Sequence, residues 1–87
     1  MANLKVAIIG KDKLEYEGEA HALFVPTQTG TIEVLPQHMQ LVSALKQGEI
    51  VVRGSLASAD LKFKISGGVL EVRTQSNVII LADIVRE

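Results

Sequence analysis

The chain has 87 residues, 47% apolar residues and a formal net charge of −1, and it contains no cysteine. This length suits a single domain with a small aliphatic core, and the lack of cysteine excludes disulfides and cysteine-ligated zinc. The charge argues against nucleic acid as a partner, because such binding depends on clustered Lys and Arg. No apolar run approaches the roughly 18 residues that a membrane-spanning helix requires.

In the first part of the chain, apolar residues alternate with polar or small ones. This predicts β-strands, because successive side chains of a strand point to opposite faces. Pro26 is expected to end the third strand, since proline cannot donate to a strand ladder. Glu15, Glu17 and Glu19 form the outer face of the second strand. Strands are predicted at residues 4–8, 13–19, 21–25 and 31–35, with turns at residues 10–12 and 27–30.

The second part keeps the period of two, interrupted by glycines and polar turns. Gly67 and Gly68 are predicted to bend the chain, since glycine adopts unusual backbone angles at little cost. No helix of ordinary length is visible, and the best candidate, residues 39–45, is too short to be stable alone. Strands are predicted at residues 50–53, 61–65, 69–73 and 77–81. Residues 55–60 form a loop with room for a helical turn, and residues 74–76 form a hairpin loop.

Strands at this spacing are typical of an antiparallel sandwich or barrel. The core is expected to be aliphatic, because the chain has only one Tyr, two Phe and no Trp. The alternation places the following side chains mostly inside: Val6, Ile8, Leu14, Tyr16, Phe24, Val51, Phe63, Ile65, Leu70, Val72 and Ile80.

The polar residues form no recognisable active site. His21 and His38 have no cysteine or HxxxH-type spacing beside them, so we interpret them as surface residues rather than zinc ligands. The three glutamates of the second strand are spread along one face, which favours a solvated face or a basic partner over a bound cation. Residues 66–68 have too few glycines for a phosphate loop, and no serine has an adjacent base. The sequence therefore predicts no catalytic residue, no metal site and no cofactor.

Residues 34–42 are apolar without a clean period and include Pro36 and Met39. In so small a domain, such a segment either crosses between sheets as core or lies outside as a contact patch, and the pattern leaves both open. Exposed apolar surface usually marks a partner site, and methionine adapts well to such surfaces.

Four blocks of the sequence resemble the ATP synthase epsilon subunit, called delta in mitochondria, in the family's order and spacing. The resemblance runs from about residue 4 to residue 83. The second and fourth blocks correspond to the family patterns GxxGxLPxHxPL and SGGfxEV. The blocks read YEGE at residues 16–19, GTIEVLPQH at 30–38, ALKQG at 44–48, and ISGGVLEV at 65–72 completed by VIILAD at 78–83.

The chain departs from the family pattern in the second block. Glu33 and Gln37 stand where the family commonly has glycine, and Gln40 stands where it has proline. Family members usually continue into a C-terminal helical hairpin, whereas this sequence stops at Glu87. We therefore expect residues 1–87 to form one epsilon-type β-sandwich domain without a C-terminal helical domain. Such a subunit is expected neither to inhibit ATP hydrolysis by extension nor to bind ATP.

The resemblance implies an all-β fold, a flattened antiparallel β-sandwich of about ten short strands in two five-stranded sheets. It also implies a non-catalytic central-stalk (rotor) subunit of a proton- or sodium-driven ATP synthase. Such a subunit links the gamma subunit to the membrane c-ring and supports rotational coupling and assembly. Its expected place is the cytoplasmic face of the bacterial inner membrane, as a peripheral part of the complex. Neither nucleic acid nor a small-molecule substrate is expected as a partner.

The same resemblance implies roles for particular residues. Gly30, Gly67 and Gly68 are expected to be structural glycines. The gamma-subunit interface is expected to contain Leu35, Pro36, His38, Met39, Leu41 and Val42. The loop facing the c-ring is expected to contain Thr27, Gln28, Thr29, Gly30, Thr31 and Glu33.

Two other functions fit a small β-protein. One is a free-standing β-sandwich module that binds peptide or carbohydrate, although such sites usually present aromatic side chains that are scarce here. The other is a small barrel or cupin-like enzyme, against which the two isolated histidines argue. Binding to a gamma subunit distinguishes the rotor subunit from both.

Overall fold

The structure is a computed structural model and describes residues 3–37, 39–54 and 60–85. These residues form eight strands and one 3-10 turn, and no helix among them is long and apolar enough to cross a membrane. The strands are β1 (Leu4–Ile9), β2 (Leu14–Ala20), β3 (Ala22–Thr27), β4 (Gly30–Val34), β5 (Leu41–Leu45), β6 (Gly48–Arg53), β7 (Leu61–Val72) and β8 (Asn77–Ile84). The turn Thr74–Ser76 joins β7 to β8.

The strands form two layers that share β7. One layer has the order β2-β1-β8-β7-β5, and the other has the order β4-β3-β6-β7. All pairs are antiparallel except β1 with β8, which run parallel. The all-β, sandwich-like fold expected from the sequence is thereby confirmed. The described residues contain eight strands rather than about ten, and hydrogen bonds connect them into one sheet, because the long β7 belongs to both layers.

A single long ladder bends from one layer into the other. The first half of β7 pairs with β6 and the second half with β5, in one unbroken register that runs from Val52 opposite Leu61 to Leu41 opposite Val72. Gly68 lies at the bend, and a Cβ there would collide with the Leu81 carbonyl oxygen and lie 2.8 Å from the Ala82 Cα. A Cβ on Gly67 would make only an ordinary contact with the Leu45 carbonyl oxygen at 3.7 Å. Of the two glycines, Gly68 is therefore the one that the close approach of β7 and β8 requires.

One hydrophobic core lies between the layers. Six of the side chains placed inside by the sequence are buried: Val6, Ile8, Ile65, Leu70, Val72 and Ile80. Tyr16 and Phe63 are half-buried and pack against the core, with their rings 6.0 Å apart. The rest of the core comes from both layers: Leu4, Ala20, Leu23, Val25, Val34, Leu45, Ile50, Val52, Val78 and Ala82.

The placement of Phe24 and Val51 in the core is wrong. In β3 and β6 the buried side chains are their neighbours Leu23, Val25, Ile50 and Val52. Both strands are apolar at consecutive positions, so alternation alone does not decide which face is buried. Phe24 instead lies beneath the Arg53 guanidinium, whose carbon is 4.9 Å from the ring centroid, and this cover explains why it is half-buried.

Leu14 is also wrongly placed by the sequence, since it is 49% exposed. The ladder between β1 and β2 has a register shift between Ile8 and Ile9. Tyr16 therefore lies opposite the buried Ile8, whereas Leu14 lies opposite Ile9. An inserted residue moves the following side chains to the other face, so Leu14 points outward.

Two segments differ from the prediction. Residues 41–45, for which no strand was predicted, form strand β5 because they extend the ladder along β7. Pro26 lies within β3, opposite Thr31, and its carbonyl oxygen accepts the Lys46 N–H at 2.9 Å. Proline is tolerated there because its nitrogen faces the gap between the end of the β6 ladder and the start of the β5 pairing, where no ladder donor is lost. The predicted loop at residues 55–60 lies largely outside the described residues.

Candidate partner-binding surface

The connection between β4 and β5 carries Met39, the most exposed large apolar side chain among the described residues. Met39 is 82% exposed and Leu35 is 46% exposed, while Pro36 is half-buried. Gln37 between them has φ of 66°, in the left-handed region that glycine adopts most easily. This explains why a glycine, common in the family at this position, is suited to the turn. His38 lies outside the described residues.

The first residues of β5 divide between core and surface. Leu41 is half-buried and packs against the core, as alternation along a strand requires, whereas Val42 is 69% exposed. Val34 before the connection is fully buried. Residues 34–42 therefore include both of the alternatives left open by the sequence: Val34 and Leu41 are core, and Leu35, Met39 and Val42 form an apolar surface.

This surface continues across the outer face of the β2-β1-β8-β7-β5 layer. Residues directly opposite each other in paired strands share a face, and the register aligns five apolar residues in one row. We call this row, together with Val42 and Ile79 of the adjacent row, the outer apolar band. The row consists of Leu14, Ile9, Leu81, Val69 and Ala44.

Most residues of the outer apolar band were not predicted from the sequence to lie on an exposed surface. Leu81 is 52% exposed and Val69 is 43% exposed, although both lie in strands whose other faces are buried. The signal was present in β8, where Val78, Ile79, Ile80 and Leu81 are apolar on both faces. A strand that is apolar on both faces is typical of a sheet covered on both sides. An exposed apolar face of this kind usually marks an interaction site.

Charged residues accompany the five-residue row on the same face, in the adjacent row, where Glu71 lies between Val42 and Ile79. Val42 lies opposite Glu71 and Ala7 lies opposite Glu17, while the Arg73 guanidinium bonds to the Glu71 carboxylate at 3.1 Å. At the edge strand β2, Glu17 and Glu19 are exposed. Charged side chains on an edge strand discourage pairing with other sheets. An apolar centre with a charged border is typical of protein interfaces.

The hairpin between β3 and β4 forms a polar tip. Thr27 is only 4% exposed, and its hydroxyl donates to the Gly30 carbonyl and lies 3.3 Å from the Thr29 hydroxyl. Gly30 has φ of 127°, which a residue with a Cβ rarely adopts. Gln28, Thr29, Thr31 and Glu33 are exposed. Thr27 therefore shapes the tip from inside, while these four side chains are accessible to a partner.

Other chemistry-bearing residues are not brought together. His21 is exposed, and no three His, Asp or Glu side chains within residues 3–37, 39–54 and 60–85 are grouped as metal ligands. Glu15, Glu17 and Glu19 are spread along β2, and Asn3 donates to the Glu19 carboxylate at 3.1 Å. The surface described above is therefore the site to compare with known proteins.

The family model for the β-sandwich domain of the ATP synthase delta/epsilon chain matches residues 3–87. The chain belongs to this family. It is 39% identical over 83 residues to the ATP synthase epsilon chain of Mycobacterium avium (strain 104), covering 95% of this chain and 68% of that protein. It is 36% identical over 78 residues to the epsilon chain of Thioalkalivibrio sulfidiphilus, covering 90% of this chain and 55% of that one. The free-standing binding module considered from the sequence is thus not favoured.

Two solved structures share the fold. A chain of the Euglena gracilis mitochondrial ATP synthase, from an assembly of OSCP, F1 and c-ring, superposes with a TM-score of 0.89 at 23% identity over 98% of this chain and 54% of its own length. A chain of the Tetrahymena thermophila mitochondrial ATP synthase central stalk and c-ring superposes with a TM-score of 0.75 at 14% identity, covering 92% of this chain and 63% of its own. The chain therefore spans about half to two thirds of the length of the proteins it matches.

Proposed function

We propose that this chain is the epsilon-type subunit of the central stalk, or rotor, of a bacterial ATP synthase. In this role it links the gamma subunit to the c-ring and supports assembly and rotational coupling, driven by protons or sodium ions. The subunit is non-catalytic and peripheral, and it lies at the cytoplasmic face of the inner membrane. Family membership and the bacterial epsilon relatives support this function.

The exposed apolar surface is the observation that carries the proposal. A subunit that transmits rotation must stay bound under load, which requires a contact larger than one loop. Val42 belongs to the outer apolar band and follows Met39 by three residues, so we infer that gamma covers the band together with the exposed Leu35 and Met39. Pro36 and Leu41 belong to the same segment of chain and are half-buried. We keep them in the proposed interface together with His38, which lies outside the described residues.

The polar tip suits the c-ring, the second partner in this proposal. Gln28, Thr29, Thr31 and Glu33 offer hydrogen-bonding groups at the end of the β3–β4 hairpin, which fits the polar loops expected of a c-ring. Thr27 and Gly30 contribute by holding the hairpin in shape. Polar contacts of this kind exchange water for protein partners at modest net gain, so we assign most of the binding free energy to gamma.

Binding to the cognate gamma subunit tests the proposal. Met39→Asp places a charge in a contact from which water is excluded, and an unpaired buried charge is costly. We expect the variant to lose about tenfold or more in affinity, measured by calorimetry with purified gamma, while its unfolding transition is unchanged because Met39 is exposed. Thr29→Asp at the polar tip is the matched control and should keep its affinity for gamma.

Two results would contradict the proposal. Failure of the unmodified chain to bind gamma would exclude the rotor role. Undiminished binding by the folded Met39→Asp variant would remove Met39 from the interface and leave the outer apolar band as the contact.

A further inference from the structure

Three non-glycine residues in the described part of the chain have positive φ: Gln37 at 66°, Gln75 at 60° and Ser76 at 60°. They lie in two turns, and those turns are bonded to each other. The Gln37 backbone N–H donates to the Ser76 Oγ at 2.8 Å, across 39 positions of sequence. Backbone conformations of this kind persist where surrounding contacts hold them, and they cluster at functional sites.

The turn that contains Ser76 is firmly held. The Arg73 N–H donates to the Asn77 carbonyl at 2.7 Å, and both the backbone and the side-chain N–H groups of Asn77 donate to the Thr74 carbonyl. The turn joins β7 and β8, the two strands that pair over seven positions from Ile65 to Val72. Ser76 itself is only 7% exposed, so its hydroxyl has a fixed position.

The connection between β4 and β5 makes the hydrogen bond to the Ser76 hydroxyl at Gln37. Gln37 is at its centre, two residues from Leu35 and two from Met39, and its conformation is unfavourable for a residue with a Cβ. A side-chain hydroxyl that accepts the Gln37 N–H favours that conformation over extended alternatives. The bond therefore fixes the directions in which the two flanking apolar side chains leave the backbone.

We propose that Ser76 is a positioning residue for partner binding, which holds Gln37 in its left-handed conformation and thereby presents Leu35 and Met39 to the gamma subunit. This inference rests on the proposed function. It makes the β7–β8 turn part of the binding machinery, although Ser76 is buried and does not touch the partner. From the sequence, Ser76 is predicted only to lie in the hairpin loop at residues 74–76.

A pair of measurements on the whole chain tests the proposal. Ser76→Ala removes the hydroxyl, so exchange of the Gln37 amide hydrogen, followed by NMR, should become faster by about tenfold, in line with the loss of one hydrogen bond. The loss of this hydrogen bond should also lower the affinity for gamma by about five- to tenfold. Ser76→Gly removes the same hydroxyl while glycine favours φ near 60°, and it replaces the alanine variant if that one fails to fold.

Ser43→Ala is the matched control, because the Ser43 hydroxyl donates to the Ala44 carbonyl at 3.3 Å, within its own strand. It should change neither the exchange of the Gln37 amide nor the affinity. A purely structural role for Ser76 would lower the free energy of unfolding without selective exposure of the Gln37 amide. Unchanged affinity in the Ser76 variants, while the unmodified chain binds gamma, would overturn this proposal alone. Absence of binding by the unmodified chain would overturn the proposed function and this proposal with it.

Discussion

β7 and β8 approach each other so closely at Gly68 that a residue with a Cβ does not fit there. A Cβ at this position meets backbone atoms of Leu81 and Ala82, and backbone cannot rotate away as a side chain does. Gly68→Ala must therefore push β8 away from β7 at the bend. We expect it to lower the free energy of unfolding by about 1–3 kcal/mol, the range for overpacked sites, as measured by urea denaturation.

The neighbouring glycine supplies the control for that prediction. Gly67→Ala adds a Cβ at ordinary contact distance, and Gly67 does not have a positive φ. Its effect should be small, or slightly stabilising through the less flexible unfolded chain. Equal losses in the two variants would show that the tight approach at Gly68 is not what the position requires.

Leu70 is a representative residue of the hydrophobic core. It is fully buried and lies in the half of β7 that pairs with both β5 and β8. Leu70→Ala should lower the free energy of unfolding by about 2–5 kcal/mol, a large share of the stability of so small a domain. Leu81→Ala, on the exposed face, should cost about 0.5 kcal/mol or less. A cost below that figure for Leu70→Ala in the same urea titration would remove it from the core.

At the scale of elements, the sequence predicted strands well where one face is polar. Residues 13–19 alternate cleanly, and β2 appears there as expected. Alternation failed where both faces are apolar, since consecutive apolar residues in β3 and β6 fit either phase, and the phase is set by packing between layers. The strand at residues 41–45 was not predicted for another reason: its ladder with β7 joins positions 23 to 31 residues apart, which no local pattern reveals.

The candidate surface was predicted only in part, because strand pairing brings some of its residues together. Leu35, Met39 and Val42 lie in one aperiodic segment, which a reading along the chain detects. Leu81 and Val69 become neighbours only through the β7–β8 register, so their row is invisible before the strands are paired. Thr27 was expected to face a partner and is buried instead, because its hydroxyl closes the hairpin.

At the scale of the whole molecule, four of the eight strand pairings in the described part of the chain join strands that are not consecutive. β1 pairs with β8 across nearly the full sequence, β3 pairs with β5 and β6, and β5 pairs with β7. Folding must close these long loops before the contacts stabilise them. We expect the main refolding phase to take milliseconds to seconds, as in other all-β domains, measured by stopped-flow fluorescence of Tyr16. Refolding in microseconds would contradict this expectation.

The parallel pairing of β1 with β8 also determines how the domain responds to mechanical force. Lys5 lies opposite Asn77 and Ile9 opposite Leu81, so a pull on the start of β1 and the end of β8 slides the two strands along each other. All the hydrogen bonds between them then resist together, whereas a pull that peels an edge strand such as β4 breaks its bonds one after another. β1 and β8 thus form a shear clamp, a property that suits the rotor role proposed above.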